Sequence, residues 1–349
     1  MDRENEKVNM MMGAGGRAMQ DLLKKLTVNF SRKGVADIGL KELDDSAVIG
    51  QWALTIDGHT VTPYIFPGGD IGRLSVAGTV NDLAAIGSEG IAIALGIIIE
   101  EGFPVEDLIK ISKSVGEAAE EAGVEVVTGD TKVVERREGG IYLTTAGIGR
   151  MHPYLMENWE IAGRRGGTPW LLDSKVRPGD AIIISGTIGD HGIAVLSKRE
   201  GYGFETEIVS DVMPVNHILK SALRAGGVVS AKDPTRGGVS NALNEWAEKS
   251  GFGIKIYEER LPMNEGVKAA CEMLGIEPLE IGNEGKLILA VVREKAEEVL
   301  ESIKKVKGGE RAEIIGEVTQ DFKGVVMETL SGGLRIVDPP LGDPVPRIC

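Results

Sequence analysis

The feature that most constrains the fold of this 349-residue chain is an alternation of apolar and amphipathic segments that runs through both of its halves. Apolar residues at helical spacing predict helices over 72–86 and Val105–Ala122, the second closed by Gly123, and the apolar run at 91–99 predicts a buried strand. Strands and helices mix without a strict βαβ order, which favours two α/β (α+β) layers over one doubly wound sheet. The further predicted helices span 20–26, 193–198, 215–225, 238–249, 266–274 and 295–305, and the further strands span 53–56, 124–127, 141–147, Ala181–Ile184, 254–257, 287–292, 314–318 and 325–329.

A turn-rich stretch at 151–178 separates the two halves. We therefore predict an N-terminal lead with a Gly-rich segment at 1–40, an N-terminal domain at 41–155, a C-terminal α/β domain at 165–338 and a flexible tail at 339–349. Four of the 14 prolines lie in that tail. Because proline disrupts helices, the tail is predicted to be an extended arm of about 30 Å, at ~3.3 Å per residue.

The net charge argues against two classes of partner. The chain has 39 Lys and Arg against 53 Asp and Glu, a formal net charge of −14, whereas nucleic acids and anionic membranes require a basic surface. The longest apolar run, 90–99, is about half of what a membrane span requires, and the polar N-terminus is unlike a signal peptide. Because there are only two cysteines, Cys271 and Cys349, we expect no disulfide framework and a cytoplasmic location.

Several common catalytic motifs do not occur in the sequence. There is no Walker A segment and no G-x-S-x-G elbow. A G-x-G-x-x-A match at 13–18 follows no predicted strand, which removes the context of a dinucleotide site. The four histidines have no zinc-ligand spacing relative to either cysteine.

Aspartates beside glycines or turns recur along the chain. Several follow predicted strands, where gathered carboxylates suit a Mg²⁺ ion that bridges to phosphates. Glycine, at 48 of 349 residues, is about twice as frequent as the usual ~7% and lets backbone amides approach phosphate oxygens; the Gly237-Gly238 loop, which opens a helix, would add an anion site. An ordinary turn is the alternative for each aspartate taken alone. The set comprises Asp44, Asp45, Asp57, Asp82, Asp130 and Asp233.

Other side chains are candidates for chemistry, each with a simpler alternative. Lys132 would pair with phosphate as a point charge, or be a solvated lysine. Glu284, held between glycines before an apolar strand, would be a general base, although spacing alone favours an exposed hairpin position. His191 would contact phosphate or cap a helix. Cys349 would carry an acyl-like group between two sites or be an incidental thiol, whereas Cys271 is predicted to be a small core residue.

Seven segments together resemble the HypE family of hydrogenase maturation proteins. They are 66–72, 78–82, 127–134, 189–192, 233–238, 283–286 and 346–349, and the combination of Gly129-Asp-Thr-Lys132 with the terminal Pro-Arg-Ile-Cys349 is highly specific. The resemblance covers 12–349 and extends to the superfamily of aminoimidazole ribonucleotide synthetase, selenophosphate synthetase and thiamine-phosphate kinase, which share an ATP site without a P-loop. The chain departs from the family at Met12, where a histidine usually precedes Gly-Ala-Gly-Gly.

The resemblance implies a fold, partners and a reaction. The fold is a two-domain PurM-like fold with an extended C-terminal tail, in which the N-terminal domains, each a mixed sheet with helices, pair into a homodimeric barrel around which nucleotide binds. The carbamoyltransferase HypF would place a carbamoyl group on Cys349, and Mg-ATP would drive dehydration of this thiocarboxamide to a thiocyanate. The cyanide would then pass to iron held by the HypC–HypD complex for [NiFe]-hydrogenase, so ATP and Mg²⁺ are the expected ligands.

The resemblance also assigns roles to residues at matching positions. Glu284 would remove the proton from nitrogen, Lys132 would balance charge near the transferred phosphoryl group, and Cys349 would carry the substrate. His191, Gly15 and Gly16 are possible phosphate contacts. The expected metal ligands are Asp45, Asp82 and Asp233, and the expected nucleotide contacts are Asp45, Asp57, Asn81, Asp82, Gly129, Asp130, Thr131, Asp233, Thr235 and Gly237.

Two other functions fit parts of the sequence. A selenophosphate synthetase-like enzyme acting on a free small molecule would keep the aspartates but would have no use for the terminal thiol. Such enzymes place a reactive cysteine in the N-terminal Gly-rich segment, and residues 1–50 contain none. A non-catalytic thiol carrier would present Cys349 without binding nucleotide, and it would not need so many glycine-flanked carboxylates.

Overall fold

The N-terminal half of the chain is built on a five-stranded sheet. The computed structural model describes residues 7–13, 16–30, 33–137, 140–202, 208–342, 344–345 and 347–349. The strands in this half are β1 (Ala47–Ile49), β2 (Trp52–His59), β3 (Ile65–Phe66), β4 (Gly69–Asp70), β5 (Ser88–Glu100), β6 (Glu125–Val134) and β7 (Ile141–Met151). The sheet has the order β1-β2-β7-β5-β6, in which β5 and β6 are parallel and the other neighbours antiparallel, and β3 and β4 form a separate hairpin.

Three helices accompany this sheet: α1 (Gly16–Thr27), α2 (Ile71–Ala85) and α3 (Val105–Ala122). Helix α2 begins at Asp70, whose carboxylate accepts hydrogen bonds from the amides of Gly72 and Arg73 at 2.7 and 3.0 Å. Gly72 permits close packing of α3, because a Cβ there would lie 2.4 Å from the carbonyl oxygen of Ile111. Helix α2 is buried along nearly its whole length, since it lies between the sheet and the second domain.

The C-terminal half is built on a seven-stranded sheet with helices on both faces. Its strands are β8 (Ala181–Ile184), β9 (Val228–Lys232), β10 (Gly253–Tyr257), β11 (Ile288–Val291), β12 (Glu313–Thr319), β13 (Gly324–Glu328) and β14 (Leu334–Ile336), in the order β14-β13-β10-β12-β8-β11-β9. Strands β10 and β13 are parallel, and the remaining neighbours are antiparallel. The helices are α4 (Leu155–Ile161), α5 (Asp190–Glu200), α6 (Asn216–Ala225), α7 (Gly238–Ser250), α8 (Glu265–Leu274) and α9 (Ala296–Lys304).

One hydrophobic core joins the two domains. Leu83 and Ile86, at the end of α2, are buried in the same cluster as Leu219 of α6 and Ile183 of β8. A second cluster, on the other face of the C-terminal sheet, contains Trp246 of α7. Because α2 contributes to a core that the C-terminal domain also lines, the two domains hold a fixed geometry at their junction.

The predicted fold class is confirmed, although several element bounds differ from the prediction. Strand β2 does not stop at Asp57-Gly58 but continues to His59, and β6 does not stop at Val127 but continues to Val134. The sequence patterns missed α4, β1, β3, β4, β9 and β14. Strand β9 is buried at every position and ends in Lys232, so it lacks the alternation that marks a half-buried strand.

The outer face of the N-terminal sheet is apolar and exposed. Trp52, Leu54 and Ile56 alternate along β2 with exposed fractions of 51, 50 and 71%, and Ile148 of β7 is paired with Leu54. This sheet is open in the single chain, so the homodimeric barrel stays a prediction. In the part of the chain that the structure describes, no helix has the length and apolarity to cross a membrane.

The described residues of the C-terminal tail form no helix or strand, as predicted, but they lie against the protein instead of projecting as an arm. Its apolar side chains at Val345 and Ile348 are buried, and its backbone accepts hydrogen bonds from Thr60 and Thr62 just beyond β2. Burial of these side chains stabilises the docked tail. Cys271 is buried in α8, which confirms that it is a core residue.

Candidate functional site

A cavity of about 650 Å³ lies at the junction of the two domains, and the chain end enters it. The N-terminal domain supplies carboxylates from the loop before β1, from β2 and from the last turn of α2, whereas the C-terminal domain supplies them from the segments that follow β9 and precede β11. The acidic and thiol side chains brought together here include Asp44, Asp45, Asp57, Asp82, Asp233, Glu284 and Cys349. Residues far apart in sequence thus meet in one cleft.

Three of these carboxylates form a compact cluster. One oxygen each from Asp45, Asp82 and Asp233 lie within 4.8 Å of one another, and Thr55 donates a hydrogen bond to Asp82 at 2.8 Å. Magnesium binds oxygen ligands at about 2.0–2.1 Å, so two oxygens on one ion are at most about 4.2 Å apart, slightly less than the 4.8 Å limit of this cluster. The residues therefore fit a hard divalent cation.

The electrostatics of the cluster also favour a cation. Burial, followed by repulsion from Asp45, raises the pKa of Asp233 to about 8, although Lys232 opposes this shift. Burial and repulsion from Asp233 raise the pKa of Asp82 well above its usual range. Crowded carboxylates disfavour one another's ionised form, and a bound cation would remove that penalty.

Glu284 is buried beside this cluster, so the exposed hairpin position that spacing favoured is wrong. Only 2% of the residue is exposed, and its Oε1 atom has no hydrogen-bond partner among the described residues. Burial, then repulsion from Asp233 and Asp57, raises its pKa well above the usual range, against the opposing charge of Arg236. A buried carboxylate oxygen left without a partner is costly and is available to a substrate proton.

The backbone around Glu284 is held across the domain junction. The amide of Asn81, on α2, donates to the carbonyl oxygens of Met213 and Glu284, both at 3.3 Å, and its Oδ1 accepts from the amide of Val215 at 2.8 Å. Asn81 therefore ties α2 to the loop that carries Glu284. Asn81 is buried, and in this structure it helps to fix the geometry of the site.

A network of buried ion pairs adjoins the carboxylate cluster and contacts it through Lys232. The Nζ atom of Lys232 lies 2.9 Å from Asp45, 3.2 Å from Asp173 and 2.9 Å from Glu245. Lys249 also contacts Asp173, at 2.7 Å. Burial opposes ionisation of Asp173, but Lys232 and Lys249 outweigh it and lower the pKa of Asp173 to about 2. The network fixes Asp45 and keeps a net negative charge available on the cavity side.

The chain end is held by several polar groups. Thr60 donates to the carbonyl oxygen of Cys349 through its amide at 3.0 Å, and its hydroxyl lies 3.1 Å from the same atom. The Nε2 atom of His191 lies 2.7 Å from the carbonyl oxygen of Ile348. The negative charge of Cys349 is the largest cause of the raised pKa of Arg236. Cys349 and Arg236 line the same cavity.

The structure places other predicted contacts differently. His191 is fully buried, and both of its ring nitrogens meet protein atoms, those of Ser210 and Ile348. Its side chain does not cap the helix, and its contact with phosphate stays a prediction. Gly237 is the left-handed N-cap of α7. Thr235 and Gly16 line the cavity, whereas Gly15 lies outside the described residues.

The Gly129-Asp-Thr-Lys132 segment does not reach the cavity within one chain. It lies inside β6, at the edge of the N-terminal sheet, where these residues are exposed. Lys132 pairs with Asp130 at 2.8 Å, and Thr131 donates its amide to Asp130. Gly129 fits because a Cβ there would lie 2.4 Å from the carbonyl oxygen of Leu95. The predicted reactive pair of Glu284 and Lys132 is therefore separated in the single chain.

Sequence patterns missed the supporting residues of the site. Lys232 directly precedes Asp233, and Arg236 belongs to the same Pro-Thr-Arg-Gly-Gly loop, but neither carries a motif of its own. Asp173 lies in the turn-rich stretch that was predicted to be a domain boundary. No local pattern marked Lys232, because a lysine is usually a solvated residue and the strand that it ends was not predicted.

Two family models match this chain, one in each of the two domains that border the cavity. The AIR synthase related protein, N-terminal domain, matches 43–151, and the AIR synthase related protein, C-terminal domain, matches 177–328. Together they cover most of the chain. The fold and the acidic interdomain cleft are therefore those of an AIR synthase related protein.

Full-length relatives narrow this class to one family. A relative in Methanocaldococcus jannaschii, named for hydrogenase expression and formation, is 49% identical over 350 residues, which span 98% of this chain and 100% of the relative. The carbamoyl dehydratase HypE of Azotobacter vinelandii is 44% identical over 352 residues, which span 100% of this chain and 99% of the relative. The chain belongs to the HypE family of hydrogenase maturation proteins.

Solved structures agree with this assignment. A crystal structure of a HypE–HypF complex contains a chain that superposes with a TM-score of 0.83 at 44% identity, covering 93% of this chain and 100% of that one. HypE in complex with ATP superposes with a TM-score of 0.79 at 36% identity, covering 98% of this chain and 100% of that one. The predicted family is thus confirmed by sequence and by fold.

Proposed function

We propose that this chain is an ATP-dependent carbamoyl dehydratase that converts an S-carbamoyl group on Cys349 into a thiocyanate during [NiFe]-hydrogenase maturation. The observation that carries the proposal is that the terminal thiol residue, the buried Glu284 and the cluster of Asp45, Asp82 and Asp233 line one cavity. Related chains carry the name carbamoyl dehydratase, and one related structure contains ATP.

The reaction requires both a phosphoryl acceptor and a base. The carbonyl oxygen of the thiocarboxamide takes the γ-phosphoryl group of ATP, and ADP leaves. The nitrogen loses one of its two protons as the O-phosphorylated imidate forms and the other as the carbon–oxygen bond breaks, which yields phosphate and a carbon–nitrogen triple bond on sulfur. Phosphorylation is needed because it turns a poor leaving oxygen into phosphate, and catalysis consists mainly of positioning and charge balance.

Glu284 is the proposed base for the nitrogen proton. Its Oε1 atom has no partner among the described residues, and its raised pKa makes its ionised form a strong base. Arg236 lies near enough to oppose this pKa shift and would balance negative charge as phosphate forms.

Asp45, Asp82 and Asp233 are the proposed ligands of Mg²⁺. When bound, the ion would neutralise phosphate charge and hold the nucleotide for transfer. Lys232 keeps Asp45 in place for this role through the 2.9 Å ion pair. Asp57 and Thr235 line the same cavity and are proposed to contact the nucleotide.

We propose that Lys132 acts from the second subunit of a homodimer. The exposed apolar face at Trp52, Leu54 and Ile56 is of the kind that marks a protein interface, and pairing of two such sheets would form the predicted barrel. Strand β6, which carries Lys132, lies at the edge of this sheet. The partner subunit's Lys132, with its neighbours Gly129, Asp130 and Thr131, would complete the cleft.

The central test is mass spectrometry of the C-terminal peptide after treatment with HypF and its substrates. The wild-type chain should acquire one carbamoyl group on Cys349 and lose one water from it when Mg-ATP is added. Glu284→Gln should acquire the group but keep it intact, and Cys349→Ala should acquire none. Cys271→Ser is the matched control and should behave as wild type, and failure of the wild-type adduct to lose water contradicts the proposal.

Mixed dimers test the origin of the lysine. Cys349→Ala supplies a normal Lys132 but carries no substrate, whereas Lys132→Ala carries substrate but lacks the lysine. If Lys132 acts across the interface, a mixture of the two inactive chains regains activity as the subunits exchange. No recovery in a mixture that demonstrably forms heterodimers would place the lysine in its own chain.

The proposed partners follow from the same chemistry. HypF, present with a related chain in one complex, would load the thiol, and the HypC–HypD complex would take the cyanide on iron. We also propose that these encounters occur in the cytoplasm, where Cys349 stays reduced. Nucleotide binding measured by calorimetry separates this enzyme from a thiol carrier, which would bind no Mg-ATP.

A further inference from the structure

We infer that the last three residues are recognised as a peptide in a single register, and that His191 and the pocket for Ile348 determine this register. The inference rests on the proposed function, because the recognised tail is the one that presents the substrate-bearing thiol. The site is distinct from the carboxylate cluster. It is formed by the segment after β2, by α5 and by the loop before β11.

Alternate backbone groups of the tail pair with the chain beyond β2. The amide of Thr60 donates to the carbonyl oxygen of Cys349, and the amide of Thr62 donates to that of Arg347, both at 3.0 Å. Arg199 donates to the carbonyl oxygens of Thr62 and Arg347 at 2.8 and 3.1 Å. This pattern is that of an extended peptide added beside a strand, in which backbone bonds give affinity and side-chain pockets give specificity.

His191 contacts the carbonyl oxygen of Ile348, which takes no part in the bonds to Thr60, Thr62 and Arg199. Its Nε2 atom lies 2.7 Å from the carbonyl oxygen of Ile348, and its Nδ1 atom lies 2.8 Å from the hydroxyl of Ser210. The Ser210 hydroxyl accepts the amide of Val212 at 3.1 Å, so its proton is directed to Nδ1. The neutral imidazole therefore donates from Nε2 to the tail, and burial, which lowers the pKa of His191, favours that neutral form.

Ile348 supplies the side-chain anchor. It is 1% exposed and belongs to the cluster that contains Ile71 and Leu74 of α2. Gly282 leaves the necessary space, because a Cβ there would lie 2.6 Å from the Cδ1 atom of Ile348. A slip of one residue would place Arg347 or Cys349 in this apolar pocket.

The register matters because it sets the position of the sulfur. A slip by one residue of extended chain moves the thiol by about 3.3 Å, and displacements of about 1 Å already impair reactions that depend on alignment. The hydrogen bonds to Arg347, Ile348 and Cys349 are made to their backbone oxygens and do not involve the sulfur. Modification of the thiol thus leaves the recognised groups unchanged.

The test measures docking of the tail in the full-length chain without requiring catalysis. The readouts are the rate of alkylation of Cys349 by iodoacetamide and the amide hydrogen exchange of the peptide that contains Thr60 and Thr62. Ile348→Ala removes three buried carbon atoms and should weaken docking roughly 30-fold, so both rates should rise, by up to that factor. Ile348→Val should give a much smaller rise.

The histidine is tested in the same way. His191→Phe should raise both rates, whereas His191→Gln, which keeps a donor for the Ile348 carbonyl, should restore much of the protection. Leu341→Ala is the control, since this tail residue is 82% exposed, and it should leave both rates unchanged. Equal rates in wild type, Ile348→Ala and His191→Phe would overturn the inference, as would an effect of Leu341→Ala as large as theirs.

The same variants separate this inference from the proposed reaction. With HypF and ATP, Ile348→Ala and His191→Phe should accept the carbamoyl group but dehydrate it at least about tenfold more slowly. If the wild-type chain forms no thiocyanate while the docking measurements follow the expected order, the reaction is refuted and the recognition stands. If docking is insensitive to both variants, the recognition fails whatever the activity.

Discussion

Replacing Asp233 with asparagine should stabilise the protein while abolishing its response to Mg-ATP. The pKa of Asp233 is raised from 3.8 to about 8 in the folded state, first by burial and then by the charge of Asp45. One pKa unit corresponds to 1.36 kcal/mol, so ionising this group at pH 7 costs the folded state at most about 4 kcal/mol. The pKa of about 8 already includes the opposing charge of Lys232. Because the asparagine amide would itself be buried at a cost, we expect Asp233→Asn to raise the free energy of unfolding by about 2 kcal/mol at pH 7.

The direction of the pH dependence follows from the same shift. A carboxyl whose folded pKa lies above its unfolded pKa binds more protons when folded, so stability falls as pH rises from about 4 to about 8. The wild-type chain should therefore be less stable at pH 8 than at pH 5.5 in the absence of ligands. Asp233→Asn should show a smaller difference, because it also removes a charge that raises the pKa of Asp82.

Urea unfolding at the two pH values, with and without Mg-ATP, measures both effects. Mg-ATP should stabilise the wild-type chain, most strongly at pH 8, and should leave Asp233→Asn almost unaffected. Asp321→Asn, at an exposed position between β12 and β13, controls for the loss of one negative charge. The reasoning is refuted if Asp233→Asn is no more stable than wild type at pH 8, or if Mg-ATP stabilises it equally.

Three other outcomes follow from buried contacts. Asp173→Ala should destabilise the protein by about 3–5 kcal/mol, because it leaves Lys232 and Lys249 buried without their shared partner, and urea unfolding measures this loss. In wild type the stability contributed by Asp173, whose pKa is lowered to about 2, should be present above about pH 4 and lost as pH falls through 2, as acid titration by circular dichroism would detect. Gly282→Ala should displace Ile348 and expose the terminal thiol to alkylation without a large change in global stability; unchanged alkylation would contradict the packing described for this pocket.

Sequence patterns predicted most helices because their apolar spacing is strong. Helix α3 agrees at both ends, where Gly123 adopts the left-handed conformation of a C-cap. The errors fall where tertiary burial replaces periodicity. Strand β9 is buried on both faces, and β2 continues through Asp57-Gly58 because these residues pair with Thr145 and Thr144 of β7.

The candidate site was partly predictable for a related reason. Aspartates in glycine-containing or turn segments, such as Asp82 and Asp233, stand out in sequence, and the family resemblance assigned Glu284 its role. No local pattern could reveal that Lys232 neutralises carboxylates from both domains, because its partners Asp45 and Asp173 come from distant segments. The position of Lys132 relative to Glu284 was equally hidden, since it depends on which face of the sheet is covered.

The distribution of charge in the cleft would make the ionisation of the proposed base, Glu284, depend on the binding of ligands. Lys232 and Lys249 neutralise the buried carboxylates of Asp45 and Asp173. The pKa of Glu284 is raised by burial and by the charges of Asp233 and Asp57, and the charge of Arg236 opposes this shift. A carboxyl held protonated by its neighbours ionises once positive charge reaches those neighbours. For the proposed role of Glu284 as base, this means that a cation bound by the surrounding carboxylates would lower its pKa and favour its ionised form, so that proton abstraction would follow ligand binding.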